Sequence, residues 1–244
     1  MRACLAALIV SVSCPPAAAQ APDWDAPCPP GLAGPGLSLP ASAASVASRR
    51  TLTVVALGSS STFGAGASSP SRAYPALLES ALREALPGVA VRVLNRGVNG
   101  QDAQEEVSRL GRDVLSERPD LVIWQIGTNA ALRGDDPASL LGAAEAGAGA
   151  VIGSGADLVF MDGQRCPALS ALPGRGAASE GAVETAAAAG HAGLFRRGRL
   201  MDAWAQGEPL SDFLARDGLH QSDRGYACLA RALAASILKA VSER

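Results

Sequence analysis

The chain predicts a three-layer α/β/α domain built on a central parallel sheet of about five strands. Two observations carry this. Short continuous apolar runs alternate with helical stretches from Thr51 onward, and three of those runs break into polar Gly/Ser/Asn loops. Strands apolar throughout their length need cover on both faces, as parallel strands joined by helices have. The loops matter because open parallel sheets collect ligands at the carboxyl ends of their strands.

The elements follow in order. Leu52–Leu57 reads as the first strand and Tyr74–Leu86 as a helix; Val89–Leu94 reads as the second strand, and a single helix covers about Gln104–Leu115. Leu121–Ile126, bounded by Pro119 and Gly127, is the third strand, and a weak Ala/Gly-rich helix spans about Ala138–Ile152. Leu158–Met161 and Gly193–Phe195 make strands four and five, and Gly225–Val241 is an amphipathic closing helix. Residues 139–192 are the least legible stretch, because Ala and Gly mark little helix specificity.

Upstream, Met1-Arg2, an apolar run from Ala3 to Val12 and the small residues Ala17-Ala18-Ala19 read as a secretory signal, residues 1–19. The run is too short to span a bilayer, so no transmembrane segment is expected there. A lipidated Cys14 is the rival reading of the same stretch. Cleavage near Ala19 leaves 225 of the 244 residues, with 20 basic against 23 acidic side chains. That balance gives no electrostatic footprint for nucleic acid. Residues 20–50, rich in Pro, Ala, Ser and Gly, read as an irregular arm, and residues 51–244 as the α/β domain. Three thiols in an oxidising compartment suggest one disulfide, with Cys28 to Cys228 tying the arm to the last helix; three free buried thiols are the alternative.

Asp217-Gly218-Leu219-His220 is the most informative motif. One turn holds a carboxylate against an imidazole, fixing the tautomer so that the other ring nitrogen serves as a base. Ser60, in the loop Gly58-Ser59-Ser60-Ser61-Thr62 after strand one, is the nucleophile such a base could serve. The loops Asn95–Gly100 and Gly127-Thr128-Asn129 end strands two and three. Donors for a developing oxyanion are then the N–H of Ser60, the N–H of Gly100 and the Asn129 amide. The surroundings of Ser60 are not Gly-x-Ser-x-Gly, which disfavours a nucleophile elbow, and no Gly-Lys-Ser/Thr follows, which disfavours a P-loop. Gly97 reads as a turn former, Asp102 as a helix start, and His191 carries no assigned role.

From about Thr51 to Ile237 these blocks, in this order, resemble the SGNH (GDSL-like) hydrolases, bacterial exported esterases among them. The resemblance implies a flavodoxin-like sheet of order 2-1-3-4-5, Ser60 as nucleophile, Gly100 and Asn129 in the oxyanion hole, and Asp217 with His220 completing the triad. It implies hydrolysis of acyl or acetyl esters, small or glycan-linked, with no metal and no cofactor. Two departures stand out: Ser59 replaces the usual Asp before the nucleophile, and Ala130 the acid that often follows the third-block Asn. The alternatives are an O-acyltransferase acting on a glycan, a flavodoxin-like module binding phosphate at Ser59–Thr62, and an inactive glycan-binding relative.

Overall fold

The computed structural model describes residues 27–31 and 36–242, so the signal segment, with Cys14 and Ala19, lies outside the described residues. In chain order the elements are α1 (Pro40–Ala47), β1 (Thr51–Gly58), α2 (Ser60–Phe63), α3 (Tyr74–Ala85), β2 (Ala90–Gly97), α4 (Ala103–Ser108), α5 (Leu110–Asp113) and β3 (Leu121–Gln125). There follow α6 (Thr128–Arg133), α7 (Pro137–Gly153), β4 (Asp157–Met161), α8 (Pro167–Ser170), α9 (Pro173–Ala189), β5 (Gly193–Phe195), α10 (Arg197–Trp204) and α11 (Asp223–Ser242).

The five strands form one parallel sheet in the order β2-β1-β3-β4-β5. Successive strand side chains point to opposite faces, which divides the core in two. Val54, Ala56, Leu121 and Ile123 pack beneath α3 and α11 with Tyr74, Leu78 and Leu233. Val55, Leu57, Val122 and Trp124 pack on the other face beneath α4, α7 and α9. The Trp124 ring can press on α7 because residue 147 is glycine: a Cβ there would lie 2.2 Å from the ring.

The arm is more ordered than its composition suggests. Its second half folds into α1, begun by Pro40 and stitched to the amino edge of the sheet. Ser42 gives its N–H (2.8 Å) and hydroxyl (2.7 Å) to the Asp157 carboxylate, and the Ser45 hydroxyl reaches Asp120 at 2.5 Å. Serines that look like linker composition satisfy carboxylates at the starts of strands, Asp157 buried and Asp120 half-buried. Cys28 and Cys228 form a disulfide that ties the arm to α11, and Cys166 is free and buried.

The helix expected over Gln104–Leu115 is broken into α4, α5 and a 3₁₀ turn, Leu115–Glu117. The break falls at Arg109, whose buried guanidinium turns inward to the Gln101 side chain (2.6 Å) and the Gly58 carbonyl (3.2 Å). Among the described residues α11 is long and apolar enough to cross a membrane, but here it packs as a core helix with Tyr226, Leu229, Leu233 and Ile237 buried.

Candidate active site

The site forms where β1 and β3 diverge, the switch point at which neighbouring crossovers leave on opposite faces of the sheet. β1 ends at Gly58 and the chain turns at once into α2, so Ser60 occupies the first helical position above the sheet edge. The Gln125 side chain, at the end of β3, braces the turn. Its Oε1 accepts from the Ser59 N–H (3.1 Å), the Ser59 hydroxyl (3.0 Å) and the Thr62 hydroxyl (3.3 Å). A hydroxyl at residue 59 thus reaches a neutral amide acceptor from the position where an Asp was expected.

Gly97 does not serve as a turn former. It ends β2, paired with Gly58, and lies directly under α2: a Cβ there would sit 2.0 Å from the Phe63 N and 2.6 Å from the Thr62 carbonyl carbon. The missing side chain is what lets α2 rest on the sheet. Asp102 does start a helix, through a reciprocal capping box with Glu105.

The Asp217–His220 turn arrives from the other end of the chain. An antiparallel bridge between Leu214 and Gln221 closes it, and its Gly218 has φ 65°. Asp217 Oδ1 accepts the N–H groups of Leu219 (2.9 Å) and His220 (3.0 Å), while Oδ2 meets His220 Nδ1 at 2.6 Å. Partial burial pushes the Asp217 carboxyl up, but the hydrogen bonds from the His220 ring and the two N–H groups prevail and hold it below the usual carboxylate value. A carboxylate can only accept, so Nδ1 carries the proton and Nε2 is left with its lone pair. That nitrogen lies 2.8 Å from Ser60 Oγ. Ser60, His220 and Asp217 are therefore in hydrogen-bonded series.

Asn129 sits in α6, whose N-cap position is Gly127, and its side chain reaches across to the second-block loop. Its Nδ2 donates to the Gln101 carbonyl at 2.8 Å, which orients the amide and leaves its second N–H free to donate. Ser59, Gln101, Gln125 and Asn129 line one small polar recess. The backbone N–H groups of Ser60 and Gly100 have no partner among the described residues. Behind the recess Glu106 is buried and accepts the Trp124 indole N–H at 2.7 Å; burial raises its carboxyl well above the usual range. His191 lies before β5, at the amino edge of the sheet, away from this cluster.

Between the ends of β3 and β4 is a cavity of about 330 Å³, lined by none of Ser60, Asn129, Asp217 and His220. Thr128, Ala131, Gly163 and Leu169 contribute to its walls, and Arg165, tied to Asp202 and Glu180, closes one side. Phe63 and Val98, 54% and 41% exposed, present apolar surface on α2 and on the second-block loop. Among the described residues no group of three His, Cys, Asp or Glu side chains is placed to hold a metal ion.

Sequence reasoning did not find Gln125, Gln164, Arg197 or Glu106. Gln125 carried a signal, as the polar end of an otherwise apolar strand; the others stand in stretches with no motif around them.

No curated protein sequence matches the chain. Its structure is similar to that of TesA (23% identical, TM-score 0.67, covering 77% of this chain and 99% of that one). It is also similar to a variant of Axe2, an acetyl-xylooligosaccharide esterase from Geobacillus (19% identical, TM-score 0.66, 76% and 93% covered). A third similar structure is a two-domain esterase active on acetylated mannans (21% identical, TM-score 0.69), of which the match spans 56% against 87% of this chain. Identities this low establish the shared fold. The sequence profile of the Non-GDSL lipase-like family matches residues 25–243, taking in most of the arm as well as the sheet. With that match, the chain belongs to the Non-GDSL lipase-like family, and it shares the fold of these esterases.

Proposed function

We propose that this protein is a serine esterase that cleaves short-chain carboxylic esters, acetylated sugars among them, through an acyl-enzyme on Ser60. The observation that carries the reading is the unbroken series Ser60 Oγ, His220 Nε2, His220 Nδ1, Asp217 Oδ2, at 2.8 and 2.6 Å. His220 takes the hydroxyl proton as Ser60 Oγ bonds to the ester carbonyl carbon, and Asp217 steadies the imidazolium that forms. The N–H groups of Ser60 and Gly100 and the free N–H of the Asn129 amide receive the oxyanion. Collapse of the tetrahedral intermediate breaks the bond to the alkoxy oxygen, which leaves with the proton from His220. Water, deprotonated by the same imidazole, then releases the carboxylic acid and restores Ser60.

The short-acyl reading is supported by the acetyl esterases of similar fold, one of them an acetyl-xylooligosaccharide esterase and another active on acetylated mannans. Disulfide formation between Cys28 and Cys228 fits an oxidising compartment, and so supports export.

The test is hydrolysis of p-nitrophenyl esters from acetate to palmitate by the wild type and by Ser60→Ala. The expected result is a maximum at short chains and loss of that activity in the variant; equal activity in Ser60→Ala would remove Ser60 from the mechanism.

A further inference from the structure

Ser60, in α2, and His220, in the turn before α11, stand 160 residues apart in sequence, yet their side chains meet at 2.8 Å. Something must hold α2 and the acid–base turn in register. We infer that Gln164 is the positioning residue that sets this distance, an inference that rests on the serine-esterase reading above.

Gln164 follows β4 and is 1% exposed. Its Oε1 accepts the Ser61 hydroxyl at 2.8 Å, one residue from the nucleophile. Its Nε2 donates to the Leu219 carbonyl at 2.5 Å, one residue from the base. Its backbone N–H faces the Thr128 hydroxyl at 3.4 Å, one residue from Asn129. One buried residue therefore touches the chain neighbour of each side-chain group in the proposed mechanism except Asp217.

The contact at Leu219 has a particular consequence. The peptide unit joining Leu219 to His220 is planar, so fixing both its polar ends fixes the His220 Cα. Gln164 holds the carbonyl end and Asp217 Oδ1 the N–H end. The amide cannot serve with its ends exchanged, since Oε1 would then face the Leu219 carbonyl oxygen. Gln164 is itself held from below. The buried Arg197 guanidinium donates to the Asp162 carbonyl (3.1 Å) and lies 3.4 Å from the Thr128 hydroxyl, and Asp162 Oδ1 accepts the Gly198 N–H at 2.9 Å. The links from Tyr226 to the Ala65 carbonyl and from Ser68 to Asp223 also join the two chain regions, but further from Ser60.

The experiment compares steady-state kinetics on p-nitrophenyl acetate for the wild type, Gln164→Met, Ser61→Ala, their double variant and Ser60→Ala, with thermal melts of each. Met keeps the length of the side chain without its hydrogen bonds. A misplacement of about 1 Å costs on the order of 100-fold. Gln164→Met is therefore expected to lower kcat by about 10- to 100-fold with KM within about twofold. Ser61→Ala, which removes only the α2 contact, is expected to lower kcat by a smaller factor. The double variant is expected to match Gln164→Met alone, because both act through one link. Full kcat in folded Gln164→Met, or a rise in KM with kcat unchanged, would overturn the inference while Ser60→Ala stays inactive. If Gln164→Met does not fold, Ser61→Ala decides by the same kcat criterion. Hydrolysis that persists in Ser60→Ala would overturn the esterase reading instead.

Discussion

Gly97→Ala is the sharpest perturbation the fold offers, because one methyl group separates stability from catalysis. The added Cβ would lie 2.0 Å from the Phe63 N, against 3.4 Å for ordinary contact, so β2 and α2 must part by about 1.4 Å. The obstructing atoms are backbone, so no rotamer change relieves the clash. β2 is held along its length by β1, whereas α2 is four residues long, and so α2 moves. Ser60 moves with it. The His220 turn is rooted elsewhere, leading into α11 and holding the buried Gln221 side chain against Met201 Sδ (3.6 Å), so it follows α2 only in part, through the Gln164 link. The 2.8 Å contact between Ser60 Oγ and His220 Nε2 then opens by about 1 Å, which costs on the order of 100-fold in kcat/KM. Overpacking of this kind costs about 1–3 kcal/mol, and each kcal/mol lowers Tm by about 2–4 °C in a domain of this size. The assay is kcat/KM on p-nitrophenyl acetate well below the variant's Tm, with the melt measured on the same preparation. A folded Gly97→Ala enzyme within threefold of wild-type kcat/KM would refute the reasoning.

Asn129→Ala removes a proposed oxyanion donor and is expected to lower kcat by about 10²–10³ with little change in KM; a loss under threefold on acetate esters would take the amide out of the oxyanion hole. Glu106→Gln tests the buried carboxyl behind the recess. Burial holds its value well above the usual 4.5, so the folded state keeps a proton that the unfolded chain releases. Stability from Glu106 is then complete below about that value and declines as pH rises toward the folded one. Glutamine keeps the acceptor for Trp124 and has no proton to lose. The Tm difference between variant and wild type is therefore expected near zero at acid pH and to grow in the variant's favour toward neutrality; a difference independent of pH would contradict the assignment.

Much of the sheet was legible because its strands are apolar on both faces. Leu121–Ile126 and Gly193–Phe195 fall within a residue of β3 and β5, and the closing helix within two residues of α11. The order β2-β1-β3-β4-β5 followed from the family resemblance, since apolar periodicity says nothing about which strands are neighbours. The helices α1 and α9 were hidden by their side chains. Ser179, Ala182, Val183, Ala186 and Ala187 form the buried face of α9, and small residues give little contrast between inside and outside. The break at Arg109 was invisible because it depends on a buried guanidinium reaching Gly58, far away in sequence. In the candidate site the residues that would touch substrate stood in motifs, whereas those that brace them did not. Gln125 and Gln164 act through hydrogen bonds to residues 66 and 103 positions away, and no local pattern encodes such pairings.

The central claim is that Ser60 is a nucleophile activated by His220. The most direct test is covalent labelling by a fluorophosphonate, read by intact mass and peptide mapping in the wild type, Ser60→Ala and His220→Ala. The account predicts one adduct per chain, mapped to Ser60, absent in Ser60→Ala and formed at least 100-fold more slowly in His220→Ala, as expected when a general base is removed. A folded wild-type protein that takes no label, or takes it on another residue, would contradict the account.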